Sequence, residues 1–221
     1  MQYQMNTKNY GNGIDLLDST GNAAVKAAFF DPQYRGVLDK LSYGNEGQGR
    51  GQARCSLPQM SEDVIMTMIK ELDRVLKPSG YLFLWIDKFH LCEGIQKWFT
   101  DTELNVVDMI VWEKLSKKGT PQLGMGYRTR RVSEYLIAAQ KKPIVAIKSW
   151  SDRGIPDVWQ EQVTKTHPHS KPVELQKRLV EAVTEPGDLI IDPAAGGFSV
   201  LEACRLSGRN FLGCDLKYGE G

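Results

Sequence analysis

The sequence predicts an α/β fold in which helices cover both faces of a doubly wound, mostly parallel sheet. Four short apolar runs end at a turn or an acidic residue, as strands buried on both faces do. Stretches with helical spacing of apolar residues separate these runs, and this alternation is typical of sheets that bind ligands at the carboxyl ends of their strands. The four runs are residues 27–30, 81–86, 189–191 and 210–214.

The other elements can be placed in chain order. An opening strand is expected at residues 8–10, and two more strands at 105–112 and 134–139 should flank an irregular stretch. A first helix begins at Ser61, and Pro78-Ser79-Gly80 stops it. Two later helices are predicted from Ser170 to residue 183 and from Ser199 to residue 206.

Composition limits the classes of function. The 221 residues predict a single domain, and 41 % hydrophobic residues exclude a disordered chain. A net charge of +1 does not indicate a globally basic nucleic-acid binder, so any such contact must use a local patch. No apolar run reaches the roughly 18 residues of a membrane span, and the first residues lack a signal-peptide pattern. We therefore expect a soluble, cytoplasmic protein with no membrane partner.

The cysteines do not suggest a metal centre. The chain has four of them and three histidines, without a C-x-x-C pair or any zinc-ligand spacing. We expect no metal and reduced, mostly buried thiols at Cys55, Cys92, Cys204 and Cys214.

Three acidic residues stand where predicted strands end: Asp31, Asp192 and Asp215. A carboxylate in that position is well placed to meet a ligand. It can equally cap the turn or helix that follows, and position alone leaves both alternatives open.

The surroundings of Asp192 favour a nucleoside site. Asp192 opens the segment D-P-A-A-G-G-F-S, and Asp215 follows Gly196 by 19 residues at the end of the next strand. Glycines between a strand and a helix let a ligand approach backbone N–H groups, and the later acid can bind ribose hydroxyls. The dinucleotide fingerprint G-x-G-x-x-G is absent, which weakens a nicotinamide interpretation.

The segments H-P-H-S-K-P-V-E-L and E-P-G-D-L-I-I-D-P-A-A-G-G resemble cofactor motifs of the bacterial DNA amino methyltransferases. The resemblance implies S-adenosylmethionine as cofactor. It implies that Ser170 and Lys171 hold the methionine carboxylate, as a helix start and an ammonium should. The cofactor would also contact Asp31, Asp192, Ala194, Gly196, Gly197 and Asp215. Ala194 replaces a Phe of the family and Phe198 a second Gly; Phe198 could pack inward or crowd the pocket.

The same family carries D-P-P-Y, and this chain has D-P-Q-Y at residues 31–34. The resemblance implies a catalytic role for Asp31, Pro32 and Tyr34. An exocyclic amine is a poor nucleophile because its lone pair is delocalised into the ring. Two acceptors, the Asp31 carboxylate and the Pro32 carbonyl, would bond its hydrogens and let the nitrogen attack the sulfonium methyl, so catalysis is mainly positioning. Tyr34 would stack on a base flipped out of the duplex.

The catalytic motif precedes the cofactor motifs, which is the permuted order called β in this family. The resemblance thus implies one Rossmann-like methyltransferase domain over residues 1–221. Its catalytic half would be about 1–140 and its cofactor half about 165–221, without a separate target-recognition domain. W-E-K at residues 112–114 and R-x-x-E at 131–134 also resemble the family. Trp112 or Tyr127 would then face the target base, unless Trp112 belongs to the core and Tyr127 to a surface loop.

Contact with DNA is predicted in two loops near the catalytic motif. Residues 114–131 contain six basic residues and no acid, with glycines that favour a flexible loop. The glycine-rich loop of residues 35–59 is the second, and the target sequence could also be read by residues 142–166 or by an added partner. The basic residues of the first loop are Lys114, Lys117, Lys118, Arg128, Arg130 and Arg131.

Together these observations predict a site-specific DNA methyltransferase that acts on N6 of adenine, as in restriction-modification systems. Asp at the head of the catalytic motif favours adenine, because relatives that act on cytosine N4 more often have Ser there. Cytosine N4, a noncatalytic DNA- or cofactor-binding module, and methylation of RNA or a small amine stay open as alternatives. A homodimer is also left open.

Overall fold

In a computed structural model, residues 3–33, 59–124, 128–162 and 170–220 are described, and their strands form one eight-stranded sheet. The strands are β1 (Asn9–Tyr10), β2 (Val25–Phe30), β3 (Leu76–Ile86), β4 (Leu104–Leu115), β5 (Ser133–Lys141), β6 (Val158–Gln162), β7 (Leu189–Asp192) and β8 (Asn210–Asp215). Their order across the sheet is β1-β8-β7-β2-β3-β5-β4-β6. Only β5 runs antiparallel to its neighbours, β3 and β4, so the predicted mostly parallel α/β sheet is confirmed.

The sheet changes direction between β2 and β7. From β2 the chain continues to β3 on one side, whereas from β7 it continues to β8 on the other. Ala28 pairs with Ile191, so the carboxyl ends of β2 and β7 lie next to each other. Such a switch point leaves a crevice at the carboxyl edge of the sheet, where ligands bind.

Six α-helices of the described ranges accompany the sheet: α1 (Gly13–Asp18), α2 (Glu62–Val75), α3 (Lys88–Glu93), α4 (Ala146–Ser149), α5 (Val173–Val183) and α6 (Ser199–Ser207). The hydroxyl of Ser61 caps α2 by accepting a hydrogen bond from the N–H of Val64 at 3.3 Å. Leu76 already has extended backbone and opens β3. Pro78-Ser79-Gly80 therefore lies inside β3, whereas the sequence predicts a stop between two elements.

Alternate residues of β2 point into two cores. Ala28 and Phe30 pack with α1 and α2 on one face, while Ala27 and Phe29 pack with α5 and α6 on the other. This period of two in a strand without exposed apolar residues is the expected result of burial on both faces. Helices on both faces are confirmed.

Several features differ from the sequence prediction. The strand β6 and the helices α1, α3 and α4 are not predicted, and Cys92 is exposed while Cys204 and Cys214 are buried. Cys55 lies outside the described residues. Within those ranges, no helix has the length and apolar character to cross a membrane.

Candidate active site

A cavity of about 340 Å³ opens at the switch point of the sheet. Its walls include all three acids that the sequence places at strand ends, Asp31 after β2, Asp192 closing β7 and Asp215 closing β8. Lys171 lines it as well, from the segment before α5. The fold thus brings the D-P-Q-Y segment and the D-P-A-A-G-G segment to one cavity.

Lys171 joins Asp31 to a third element. Its Nζ lies 2.8 Å from Oδ2 of Asp31 and 2.8 Å from Oε2 of Glu134, near the start of β5. Burial by itself would lower the pKa of Lys171, but the two carboxylates outweigh it and hold that pKa well above its usual range. The ammonium is therefore charged. Sequence reasoning assigns it to a cofactor carboxylate, whereas in the structure it contacts two protein carboxylates.

Asp192 has the opposite electrostatic environment. It is buried, and its Oδ1 accepts a hydrogen bond from the N–H of Ala194 at 3.1 Å. Burial first, and then the negative charges of Asp31 and Asp215, raise the pKa of Asp192 to about 8. A cation in the cavity would relieve this repulsion.

Asp215 holds the glycine turn in place. Its Oδ2 accepts from the N–H of Gly196 at 3.1 Å, and its Oδ1 accepts from the N–H groups of Lys217 and Tyr218 at 2.8 and 2.9 Å. Gly196 has a φ of +50°, which favours glycine at this turn. The acid predicted to bind ribose hydroxyls thus also shapes the turn that a ligand would approach.

The two departures from the family motif have different positions. Ala194 lines the cavity, whereas Phe198 is 4 % exposed and lies outside the cavity wall. The Phe198 ring packs edge-on against Phe211, with ring centroids 6.2 Å apart. Phe198 therefore packs inward, which is one of its two predicted alternatives, and does not crowd the cavity.

Sequence reasoning missed the segment Gly11-Asn12-Gly13-Ile14, which forms part of the cavity wall. The Asn12 side chain caps α1 by accepting from the N–H of Ile14 at 2.9 Å. A Cβ on Gly13 would lie 2.2 Å from the carbonyl oxygen of Pro193, so only glycine allows this approach to the D-P-A-A-G-G segment. The sequence N-G-I-D at residues 12–15, with an N-cap Asn and an acid in the first turn, is a helix-start signal from which α1 could have been predicted.

Two buried polar atoms in the cavity wall lack hydrogen-bond partners among the described residues. They are Oε1 of Gln176 on α5 and Nε1 of Trp85 on β3. Buried polar groups normally have partners, and a bound ligand is one way to supply them. Neither residue was predicted as a site residue.

Of the other predicted site residues, some lie in or near the cavity wall, one lies in the core, and others lie outside the described residues. Ser170 and Pro32 are buried, and the carbonyl of Gln33 accepts from the N–H of Met60 at 2.7 Å, which ties the D-P-Q-Y segment to the start of α2. Gly197 lies in the wall beside Gly196. Tyr34 and Tyr127 lie outside the described residues. Trp112 is 1 % exposed, which favours a core residue over a contact to the target base.

The predicted DNA-binding residues lie at the same edge of the sheet. Lys117 and Lys118 are exposed after the end of β4, and Arg128 and Arg130 are exposed before β5. Nζ of Lys88 at the start of α3 donates to the hydroxyl of Thr129 at 3.3 Å, which links this loop to the carboxyl end of β3. Arg131 is half-buried in the same loop.

Lys114 differs from these residues. Its ammonium contacts the carboxylate of Glu134, and its side chain is 22 % exposed.

In the parts of the chain that are described, no cluster of three or more His, Cys, Asp or Glu residues is arranged to hold a metal ion.

Comparison with known proteins identifies a family model and a similar protein that each match most of the chain. A model of the DNA methylase family, N6_N4_Mtase, matches residues 25–219. The type II methyltransferase M.HhaII of Haemophilus parahaemolyticus is 56 % identical over 218 residues, which cover 98 % of this chain and 93 % of that protein.

Solved structures share the fold. The M1.HpyAVI-SAM complex superimposes with a TM-score of 0.66 at 17 % identity, covering 97 % of this chain and 94 % of that one. The cytosine-N4-specific PvuII DNA methyltransferase gives a TM-score of 0.67 at 16 % identity and covers 96 % and 83 %. Since the family model spans most of the chain and M.HhaII matches nearly all of it, this chain belongs to the DNA methylase family.

Proposed function

We propose that the chain is a type II DNA methyltransferase that transfers a methyl group from S-adenosylmethionine to N6 of an adenine flipped out of DNA. The observation that carries this proposal is the shared cavity, because Asp31 of the D-P-Q-Y segment and the D-P-A-A-G-G turn line the same wall. The amine to be methylated and the methyl donor must meet in one place, and this cavity brings together the residues expected for each.

The residues of the cavity fit S-adenosylmethionine. This cofactor supplies a methyl group activated on a positively charged sulfur, and it also carries an ammonium. Three carboxyl groups line the cavity, and the raised pKa of Asp192 reflects first its burial and then the negative charges of Asp31 and Asp215. The unsatisfied Gln176 oxygen is a further acceptor in the wall. The volume of about 340 Å³ lies within the range of small-molecule sites.

Asp31 and Pro32 would act on the target amine. The Asp31 carboxylate and the Pro32 carbonyl accept the two amine hydrogens and so shift the nitrogen lone pair away from the ring. A carboxylate is a stronger acceptor than a neutral hydroxyl, and the Lys171 ammonium contacts that carboxylate at 2.8 Å. This acid supports adenine as the substrate. The exposed cations of residues 117–130 would contact DNA phosphates at the same edge of the sheet.

Nucleoside mass spectrometry tests this function directly. The chain is expressed in cells without adenine or cytosine-N4 methylation of their own, and the DNA is digested to nucleosides. N6-methyladenine is expected, and it should disappear when Asp31→Ala is expressed instead. N4-methylcytosine would replace adenine by cytosine as the target. Absence of both, with purified protein that binds S-adenosylmethionine, would identify a binding module or a different methyl acceptor.

We also expect the affinity for S-adenosylmethionine to increase as the pH rises from about 6 to about 8. Burial, followed by Asp31 and Asp215, raises the pKa of Asp192 to about 8, so its carboxyl is protonated in the free protein below that pH. A cationic ligand favours the ionised form, so binding releases a proton. The affinity should rise by at most about tenfold per pH unit and then level off near the raised pKa.

Isothermal titration calorimetry over this pH range checks the prediction. The matched variant is Asp192→Asn, which stays neutral and keeps an oxygen that can accept from the Ala194 N–H. Its affinity should change less with pH than that of the wild type. Titration of the ligand itself is common to both proteins, so equal slopes would contradict the role of Asp192.

A further inference from the structure

Four side chains of alternating charge connect the β4–β5 edge to Asp31. Lys114 contacts Glu134, Glu134 contacts Lys171, and Lys171 contacts Asp31. Lys171 is the least accessible of the four at 12 % exposed, compared with 22 % for Lys114, 25 % for Glu134 and 33 % for Asp31. The charged row thus leads from the side of the basic loop into the cavity.

Each of the two ammonium groups lies over the face of a tryptophan ring. Nζ of Lys171 lies 5.1 Å from the centre of the Trp85 ring, and Nζ of Lys114 lies 5.1 Å from the centre of the Trp112 ring. The two rings meet edge to face with centroids 6.0 Å apart. Aromatic faces attract cations and exclude water, so the ion pairs sit in a setting where charges interact strongly.

Glu134 has a fixed backbone position and carries a negative charge. It stands in β5 opposite Trp112 of β4, so the sheet holds its backbone. Burial by itself would raise the pKa of Glu134, but Lys171 and then Lys114 outweigh it and hold that pKa well below its usual range, so Glu134 is a carboxylate. If Glu134 were neutral, the whole charge of Lys171 would act on the Asp31 oxygen and weaken that oxygen as an acceptor.

Stability alone does not account for the arrangement. A buried ion pair contributes little net stability compared with apolar residues of similar size. Lys171 and Asp31 would already neutralise each other without Glu134. The second carboxylate is therefore not needed to balance the charge of Asp31. Its effect is that the Lys171 ammonium is held by two carboxylates instead of one.

We propose that Glu134 is a positioning residue for methyl transfer: it holds the Lys171 ammonium between two carboxylates and thereby sets the orientation and acceptor strength of Asp31. This inference rests on the proposed function. The chemistry at Asp31 is unchanged by it, and Glu134 itself contacts no reacting atom.

The variant Glu134→Gln keeps the shape of the side chain and removes its charge. Single-turnover transfer of labelled methyl from S-adenosylmethionine to DNA should slow by about tenfold or more, less than the roughly 100-fold for removing a preorganised group that contacts the reacting atoms, because Glu134 acts through Lys171. The KM for DNA and the calorimetric Kd for S-adenosylhomocysteine should change less than about threefold, because Glu134 acts on the chemical step. The matched control is Glu113→Gln in β4, whose carboxylate accepts from Gln160 away from the row; its rate should equal that of the wild type.

A double-mutant cycle separates positioning from general support of the sheet. In a Lys171→Met background, Glu134→Gln should cost less than about twofold, because Glu134 acts through Lys171. The variant Lys114→Met should slow transfer less than Glu134→Gln. Independent, multiplicative effects of the Glu134 and Lys171 changes would overturn the proposal.

The outcomes are distinguishable. If the wild type transfers no methyl to DNA, the proposed function fails and this inference fails with it. If the wild type is active and Glu134→Gln is as fast as Glu113→Gln, only the positioning role fails. A large loss of S-adenosylhomocysteine affinity at an unchanged rate would also overturn it and assign the row to cofactor binding. If Glu134→Gln unfolds, Glu134→Asp, which keeps the charge and shortens the side chain, takes its place in the cycle with Lys171→Met; multiplicative effects of these two changes overturn the proposal.

Discussion

Replacing Asp31 with alanine is expected to lower the rate of methyl transfer by about 100-fold or more, the scale for removing one preorganised electrostatic group. The change deletes one of two acceptors for the amine hydrogens and leaves the Lys171 ammonium facing the target. Single-turnover methylation of DNA with labelled S-adenosylmethionine measures this loss. Activity within a few-fold of the wild type would show that Asp31 only shapes the turn after β2.

The fold should survive this change. The Asp31 side chain is one-third exposed, and Lys171 keeps the Glu134 carboxylate as a partner. The melting temperature should therefore stay within a few degrees of the wild type, since surface-accessible substitutions seldom cost much. Asp18→Ala, at the exposed end of α1, is the matched control and should leave the rate unchanged.

Replacing Lys117, Lys118 and Arg128 together with alanine is expected to reduce the salt dependence of DNA binding. Each phosphate neutralised by a cation releases condensed counterion, so the log-log slope against salt should flatten by about 2 to 3. Fluorescence anisotropy with a labelled duplex at several salt concentrations measures this slope. The melting temperature should be unaffected, because all three side chains are exposed.

A matched triple variant removes the same charge from the opposite edge of the sheet. Lys142, Lys148 and Arg153 are exposed, and Lys142 directly follows the carboxyl end of β5, which is antiparallel to β3. Their replacement by alanine should leave the slope close to that of the wild type. If both triple variants flatten the slope equally, net charge rather than the basic loop governs binding. An unchanged slope in the first variant would move the DNA contact to residues 35–54.

The strands that the sequence predicts best are those buried on both faces. The run Y-L-F-L-W-I at residues 81–86 has no exposed residue, and neither has β2, although β2 includes the half-buried Lys26. By contrast, β6 alternates exposed and half-buried residues and carries Gln160, Glu161 and Gln162. Such a short, polar edge strand gains its order from pairing with β4, which periodicity in one segment does not reveal.

The site follows the same division. The positions of Asp31, Asp192 and Asp215 could be predicted because each directly follows or closes an apolar strand. The contact between Lys171 and Glu134 could not, since it joins the start of an antiparallel strand to a segment 37 residues later in the chain. Local spacing identifies residues at strand ends; the pairing of charges from distant elements depends on the order of strands in the sheet.

The neighbouring strands β1 and β8 also bear on how such a site can be encoded. Glu220 donates its N–H to the carbonyl of Lys8 at 2.6 Å, and Tyr10 donates its N–H to the carbonyl of Glu220 at 3.1 Å, so the first and last described segments lie side by side. A circularly permuted gene could join these segments and open the chain at the exposed turn Pro186-Gly187. It would encode the glycine turn first and Asp31 afterwards, while every strand kept its neighbours. The permuted chain should therefore form the same cavity although its motifs are encoded in a different order.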